Sequence, residues 1–189
     1  MTIVDAKNTE FKEQITSLWN KSFGDPKSFV EDFFTAFDDE VTCCLLLDET
    51  KTKVLSMANL ISCKLKINSN EFNIVYLYAM CTDEQSRGQG NGLKLLKEIE
   101  DYCRDKGLDG IALLPAEDGL VSFYEKAGYV SFFVNEPVND NAVIYTDKYL
   151  AYINQIGVSS KENLPNGMLL LFNSAIDLSS KPFMAYPMN

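Results

Sequence analysis

The chain contains no histidine. That excludes Ser-His-Asp and Cys-His nucleophile schemes and any metal site ligated by histidine, and no metal is expected. Basic residues are scarce. Seventeen Lys and Arg stand against 27 Asp and Glu, a formal net charge of −10. Such a surface argues against DNA, RNA or an anionic membrane as partner. It suits a neutral or cationic substrate, although an acidic surface also serves solubility alone. Long hydrophobic runs are missing too: no stretch reaches the roughly 18 apolar residues of a membrane span. The start, Met1-Thr2-Ile3-Val4-Asp5, lacks the basic opening and apolar run of a signal peptide. Cysteines are few: Cys43, Cys44, Cys63, Cys81 and Cys103, with no C-x-x-C pair and an odd total. Reduced thiols are expected, and with them a cytoplasmic location.

What is present is a globular composition, 46% hydrophobic and 12% aromatic over 189 residues. That length suits a single domain with a sizeable core. Residues 136–189 read as a C-terminal elaboration that carries a closing strand. The segment Thr2 to Ala6 suggests a short strand. Glu10 to Phe23 reads as a helix with Phe11, Ile15, Leu18 and Trp19 on one stripe, stopped by Gly24-Asp25-Pro26. Lys27 to Phe37 reads as a second helix whose Phe29, Val30, Phe33, Phe34 and Phe37 belong to the core.

Three strands are expected next: Val41 to Leu47, Val54 to Ile67 and Phe72 to Thr82. The third contains Ile74-Val75-Tyr76-Leu77-Tyr78-Ala79-Met80, apolar on both faces as in a central strand. A helix follows the glycine cluster at 87–92 and ends at Gly107, where a C′ glycine belongs. Gly110 to Leu114 is a short strand ended by Pro115. Asp118 is placed to cap a helix over Leu120 to Ala127, closed by Gly128. Tyr129 to Val134 reads as a strand and Ala142 to Ile156 as a helix. Met168 to Phe172 and Phe183 to Tyr186 are strand candidates. The order of elements is that of an α/β fold, antiparallel at its start.

The cluster Arg87-Gly88-Gln89-Gly90-Asn91-Gly92 carries the clearest chemistry. Glycines at every second position, between a central strand and a helix, open backbone N–H groups to an anion. The helix N-terminus adds unpaired donors and partial positive charge, so phosphate or pyrophosphate is the natural guest. Gly92-Leu93-Lys94-Leu95 does not satisfy the P-loop pattern. A dinucleotide fingerprint would need its last glycine at Leu93. The pattern R-x-x-G-x-G fits, on Arg87, Gly90 and Gly92.

Tyr78 to Thr82 leading into Arg87 to Gly92 resembles the acetyl-CoA signature of the GNAT superfamily of N-acetyltransferases. Leu113-Leu114-Pro115 followed by Phe123-Tyr124-Glu125-Lys126-Ala127-Gly128-Tyr129 is similar to the same superfamily's second block. The resemblance covers roughly Tyr76 to Val134. It implies a mixed central sheet flanked by helices, in which the strand ending at Cys81 and Thr82 splays from the next. Met80, Cys81 and Thr82 would hold the pantetheine arm, and Arg87, Gly88, Gln89, Gly90, Asn91 and Gly92 the pyrophosphate.

The implied reaction is direct attack of an amine on the acetyl thioester of acetyl-CoA, in a ternary complex. Tyr124 matches the position of the usual acid, and a phenol can protonate a departing thiolate. Packing alone is the other role open to it. No base is assigned. Glu71, Asp83, Glu84 and the terminal carboxylate of Asn189 are all open, and Glu117 replaces a frequent Asn. An acetyl-cysteine route through Cys81 would lack a histidine to lower the thiol pKa. The acceptor is a small-molecule or peptide amine, and self-association as a homodimer is open. A non-catalytic acyl-CoA sensor or interaction module is the alternative reading.

Overall fold

The computed structural model describes residues 1–37, 39–67, 70–133, 142–145 and 167–172. Its elements are β1 (Thr2–Val4), α1 (Lys12–Phe23), α2 (Lys27–Phe37), β2 (Val41–Leu47), β3 (Val54–Ile67) and β4 (Asn70–Thr82). After them come α3 (Asn91–Asp105), β5 (Gly110–Leu113), α4 (Val121–Lys126), β6 (Val130–Phe133), β7 (Ala142–Tyr145) and β8 (Gly167–Leu171). This is an α/β fold with a mixed sheet and flanking helices. The chain divides into two compact units, one of residues 1–61 and 77–102, the other of residues 62–76 and 103–189. Strands β3 and β4 pass through both.

In the first unit the strand order is β1-β2-β3-β4. β2 runs antiparallel to β3, with Cys43 opposite Asn59 and Leu45 opposite Met57. The stripes expected for α1 and α2 form the core: Phe11, Ile15, Leu18, Trp19, Val30, Phe33, Phe34 and Phe37 are buried. Trp19 meets Phe33 edge-on at 5.0 Å and Tyr78 of β4 at 5.8 Å. Phe33 stacks on the same Tyr78 at 5.3 Å. The aromatic stripe therefore presses on β4 one residue before Ala79. Gly24 ends α1 in the left-handed region and donates its N–H to the Asn20 carbonyl at 2.8 Å. Beyond it, the Asp25 carboxylate accepts a bond from the Trp19 indole at 2.8 Å, satisfying the one polar group that the buried ring carries.

In the second unit β8 lies between β5 and β6 and runs antiparallel to both. The β5–β8 approach is close. A Cβ on Gly110 would lie 2.5 Å from the Leu170 carbonyl oxygen, so only glycine fits there. The α3 exit is a Schellman cap: Gly107 donates to Arg104 at 2.9 Å and Leu108 to Cys103 at 3.0 Å. The α4 exit repeats it, with Gly128 to Glu125 at 2.9 Å and Tyr129 to Tyr124 at 3.1 Å.

Three expectations need correction. Ala142–Tyr145 is a strand on the β3 edge, with Lys64 opposite Tyr145, where a helix was expected. Val143, Ile144 and Tyr145 favour a strand once a partner edge is offered, and nothing in local spacing announces that edge. Asp118 does not cap α4; it opens a 3-10 turn over Asp118–Leu120, and no side chain caps either segment. β4 starts two residues earlier than expected, at Asn70. The expected elements at 146–156 and Phe183 to Tyr186 fall outside the described residues, as does Val134.

Candidate active site

The glycine cluster is built in the first unit. β4 ends at Thr82, a 3-10 turn spans Glu84–Ser86, and α3 begins at Asn91. Asp83 ties this junction to the sheet. Its N–H donates to the Leu55 carbonyl at 2.9 Å, and its carboxylate accepts from the Lys53 ammonium at 3.0 Å and the Ser86 hydroxyl at 3.3 Å. The hydrogen bond from Lys53 is the main reason the Asp83 carboxyl is held below the usual carboxylate range. Asp83 is therefore committed to structure and unsuited to serve as a base.

Side chains then fix the loop from within. The Arg87 guanidinium donates through Nε to the Thr82 carbonyl at 3.1 Å. Gln89 donates to the Gln85 carbonyl and Asn91 to the Ser86 carbonyl, each at 2.9 Å. Gly88 and Gly90 take φ of +72° and +81°, which glycine adopts without penalty. Nothing lies within 4 Å of a Cβ built on either. The space over both residues is open, and residues 87–90 are exposed. Gly92 differs: it sits in the first turn of α3. The first bond of that helix runs from the Lys94 N–H to the Gly90 carbonyl at 2.9 Å. Earlier N–H groups have no acceptor within the helix. The result is a run of backbone donors, exposed as far as Gly90, at the start of a 15-residue helix. Backbone donors at a helix N-terminus are the kind of site that phosphate groups occupy.

The strand segment expected to hold the pantetheine leads directly into the cradle. Met80 and Thr82 are half-buried and Cys81 is buried. The Thr82 hydroxyl pairs with that of Ser56 at 2.9 Å. Burial pushes the Cys81 thiol up to about 12, opposed by the nearby Ser22 hydroxyl and the Arg87 charge. The thiol stays protonated at neutral pH, which speaks against it as a nucleophile.

Sequence reasoning missed Ala79. It stands in the left-handed region at φ +48°, which costs a residue with a Cβ about 1–2 kcal/mol. That strain sits inside β4, one residue before the Met80–Thr82 segment. Alanine carries no turn preference, so nothing in the sequence announced it.

Tyr124 belongs to the second unit. It lies on α4, buried, with its ring edge-on to Phe123 at 5.0 Å and to Tyr129 at 5.8 Å. Of the carboxylates weighed as base, Glu71 pairs with Lys64 at 3.2 Å, Glu84 is exposed in the 3-10 turn and Glu117 is exposed just before α4. Asn189 falls outside the described residues.

No curated protein matches the sequence. Among solved structures, a GNAT-family acetyltransferase of Staphylococcus aureus Mu50 is 16% identical with a TM-score of 0.58, the match covering 91% of this chain and 99% of that one. The GNAT-family N-acetyltransferase YhbS of Escherichia coli, solved in complex with CoA, is 15% identical with a TM-score of 0.58, covering 90% and 80%. A probable N-acyltransferase of Enterococcus faecalis V583 is 15% identical with a TM-score of 0.59. That match covers 70% of this chain and 32% of the other, so this chain spans about a third of its length. At these identities the likeness is one of fold. Residues 3–131, from β1 into β6, match the family described as "Acetyltransferase (GNAT) domain". That match takes in both the glycine cradle and Tyr124, and the chain belongs to the GNAT acetyltransferase family.

Proposed function

We propose that the protein transfers an acetyl group from acetyl-CoA to the nitrogen of an amine acceptor, by direct attack within a ternary complex. The observation that carries this reading is the exposed glycine turn at Gly88 to Gly90 leading into the first turn of α3, built where the family signature runs. Acetyl-CoA supplies the activated thioester. The backbone N–H groups of Gly88 to Gly92 bind its pyrophosphate, and Arg87, whose own N–H is donated to the Glu84 carbonyl at 3.3 Å, flanks them. The backbone of Met80, Cys81 and Thr82 pairs with the pantetheine arm and orients the carbonyl. Tyr124 donates its phenolic proton to the departing thiolate. The attacking amine must arrive neutral or lose its proton on the way. No carboxylate in the described residues is assigned to that step.

A thiol-release assay with acetyl-CoA and a panel of amines tests the proposal. Release that depends on both partners, with mass spectrometry showing acetylated amine, supports it. CoA binding without turnover for any amine would favour the non-catalytic acyl-CoA sensor instead.

A further inference from the structure

Asp83 puts a negative charge next to the turn proposed to hold pyrophosphate, which by itself works against binding. Its carboxylate accepts the Ser86 hydroxyl at 3.3 Å, a bond that a neutral side chain could also supply. What a carboxylate adds is the charge-assisted bond from Lys53, at 3.0 Å. Lys21 of α1 exerts a smaller pull on the same group. The Lys53 stem rises from a fixed base. The Asp48 carboxylate accepts the N–H groups of Thr52 and Lys53 at 2.8 and 2.9 Å, and the Asp48 N–H donates to the Lys53 carbonyl at 2.9 Å. Gln14 of α1 clasps the same turn: it donates to the Thr52 carbonyl and accepts the Val54 N–H, each at 2.9 Å. Both backbone polar groups of Lys53 are thus bonded. The next residues of β3 join in. The Leu55 carbonyl takes the Asp83 N–H, and the Ser56 hydroxyl meets that of Thr82, each at 2.9 Å.

On the far side of Asp83 the ties run into the cradle. The Ser86 N–H donates to the Asp83 carbonyl at 2.8 Å, and the carbonyl of the buried Ser86 accepts the side chain of Asn91, where α3 begins, at 2.9 Å. Between Ser86 and Asn91 stand Gly88 and Gly90, exposed and at positive φ. Glycine has more backbone freedom to lose than any other residue, so the donors keep their direction only as well as the ends of the turn are held. As a stability device the Lys53–Asp83 pair is weak. Its side chains are 46% and 23% exposed, and ion pairs so placed add little. Its location suits orientation better.

We propose that Lys53 is a positioning residue for the cosubstrate. It fixes Asp83, and through Asp83 and Ser86 the glycine turn, so that the donors of the cradle are ordered before CoA arrives. Pre-ordered donors spare the complex the loss of loop freedom on binding. The inference rests on the acetyl-CoA site proposed above.

Lys53→Met, Asp83→Ala and the double variant test it, titrated calorimetrically with CoA at one ionic strength and well below their melting temperatures. There each variant is folded, so a loss of global stability alone leaves the measured affinity unchanged. Lys53→Met should weaken CoA binding about three- to tenfold, the scale of ordering one long side chain on binding. Lys53→Arg should restore most of that loss. Asp83→Ala should weaken binding to a similar degree, although it removes a negative charge from beside the anion. The double variant should bind no worse than the weaker single one, as residues acting as one unit do. Unchanged or tighter binding by Asp83→Ala overturns the proposal, because charge alone would then explain any effect of Lys53. Wild-type affinity in Lys53→Met overturns it as well, and so do losses that add in the double variant. A wild-type protein that does not bind CoA removes the acetyl-CoA site itself, a failure distinct from equal binding by wild type and variants.

Discussion

At Gly90 a single carbon atom decides whether the cradle exists. The φ of +81° disfavours any side chain, and nothing lies within 4 Å of a Cβ built there. Gly90→Asp adds strain, bulk and negative charge at one point. We expect the variant to fold and to lose the rise in melting temperature that CoA gives the wild type by binding its native state. An unchanged CoA affinity would place the pyrophosphate elsewhere. Tyr124 makes the opposite kind of test, since Tyr124→Phe removes one hydroxyl and leaves the ring packed against Phe123 and Tyr129. If the phenol protonates the leaving thiolate, kcat should drop about ten- to a thousandfold while CoA affinity holds. Steady-state kinetics beside a binding titration reads both, and equal turnover assigns the hydroxyl to packing.

Elements show how much the sequence already disclosed. α1 and α2 were legible because their apolar residues repeat with the helical period and their ends carry glycine or proline. The cradle was legible because glycine is the residue that its backbone requires. β7 was not, because four residues become a strand only when the β3 edge is beside them. The left-handed conformation of Ala79 was hidden because alanine carries no turn preference to announce it. The Asp83 junction, also unseen, makes an electrostatic prediction. Its folded carboxyl pKa is depressed, chiefly by Lys53, so its contribution to stability is present above the unfolded carboxylate pKa. That contribution is lost as pH falls through the folded value. The stability gap between wild type and Asp83→Asn should therefore be full near neutrality and close in the acid range, as followed by urea melts at several pH values. A gap that persists below the folded pKa would mean the aspartate acts by packing rather than by charge.

For the whole molecule, the charge of −10 bears on the acceptor. An amine of pKa about 10 approaches as a cation and must shed its proton before it attacks. Rates with such acceptors should rise with pH through the neutral range. Added salt should lower kcat/KM for a polycationic amine if the acidic surface steers it. A salt-independent kcat/KM would leave the charge as a solubility feature and direct the search to neutral or acidic acceptors. The arrangement of the second unit has a consequence of another kind, for synthesis. β8 lies between β5 and β6 yet follows both in the chain. A ribosome therefore releases the two outer strands before the one that must separate them. Until Gly167–Leu171 emerges, the nascent second unit carries two strand edges awaiting the same partner, and exposed edges of this kind recruit other chains. A chain stalled anywhere between Phe133 and Gly167 is thus the form most in need of a chaperone.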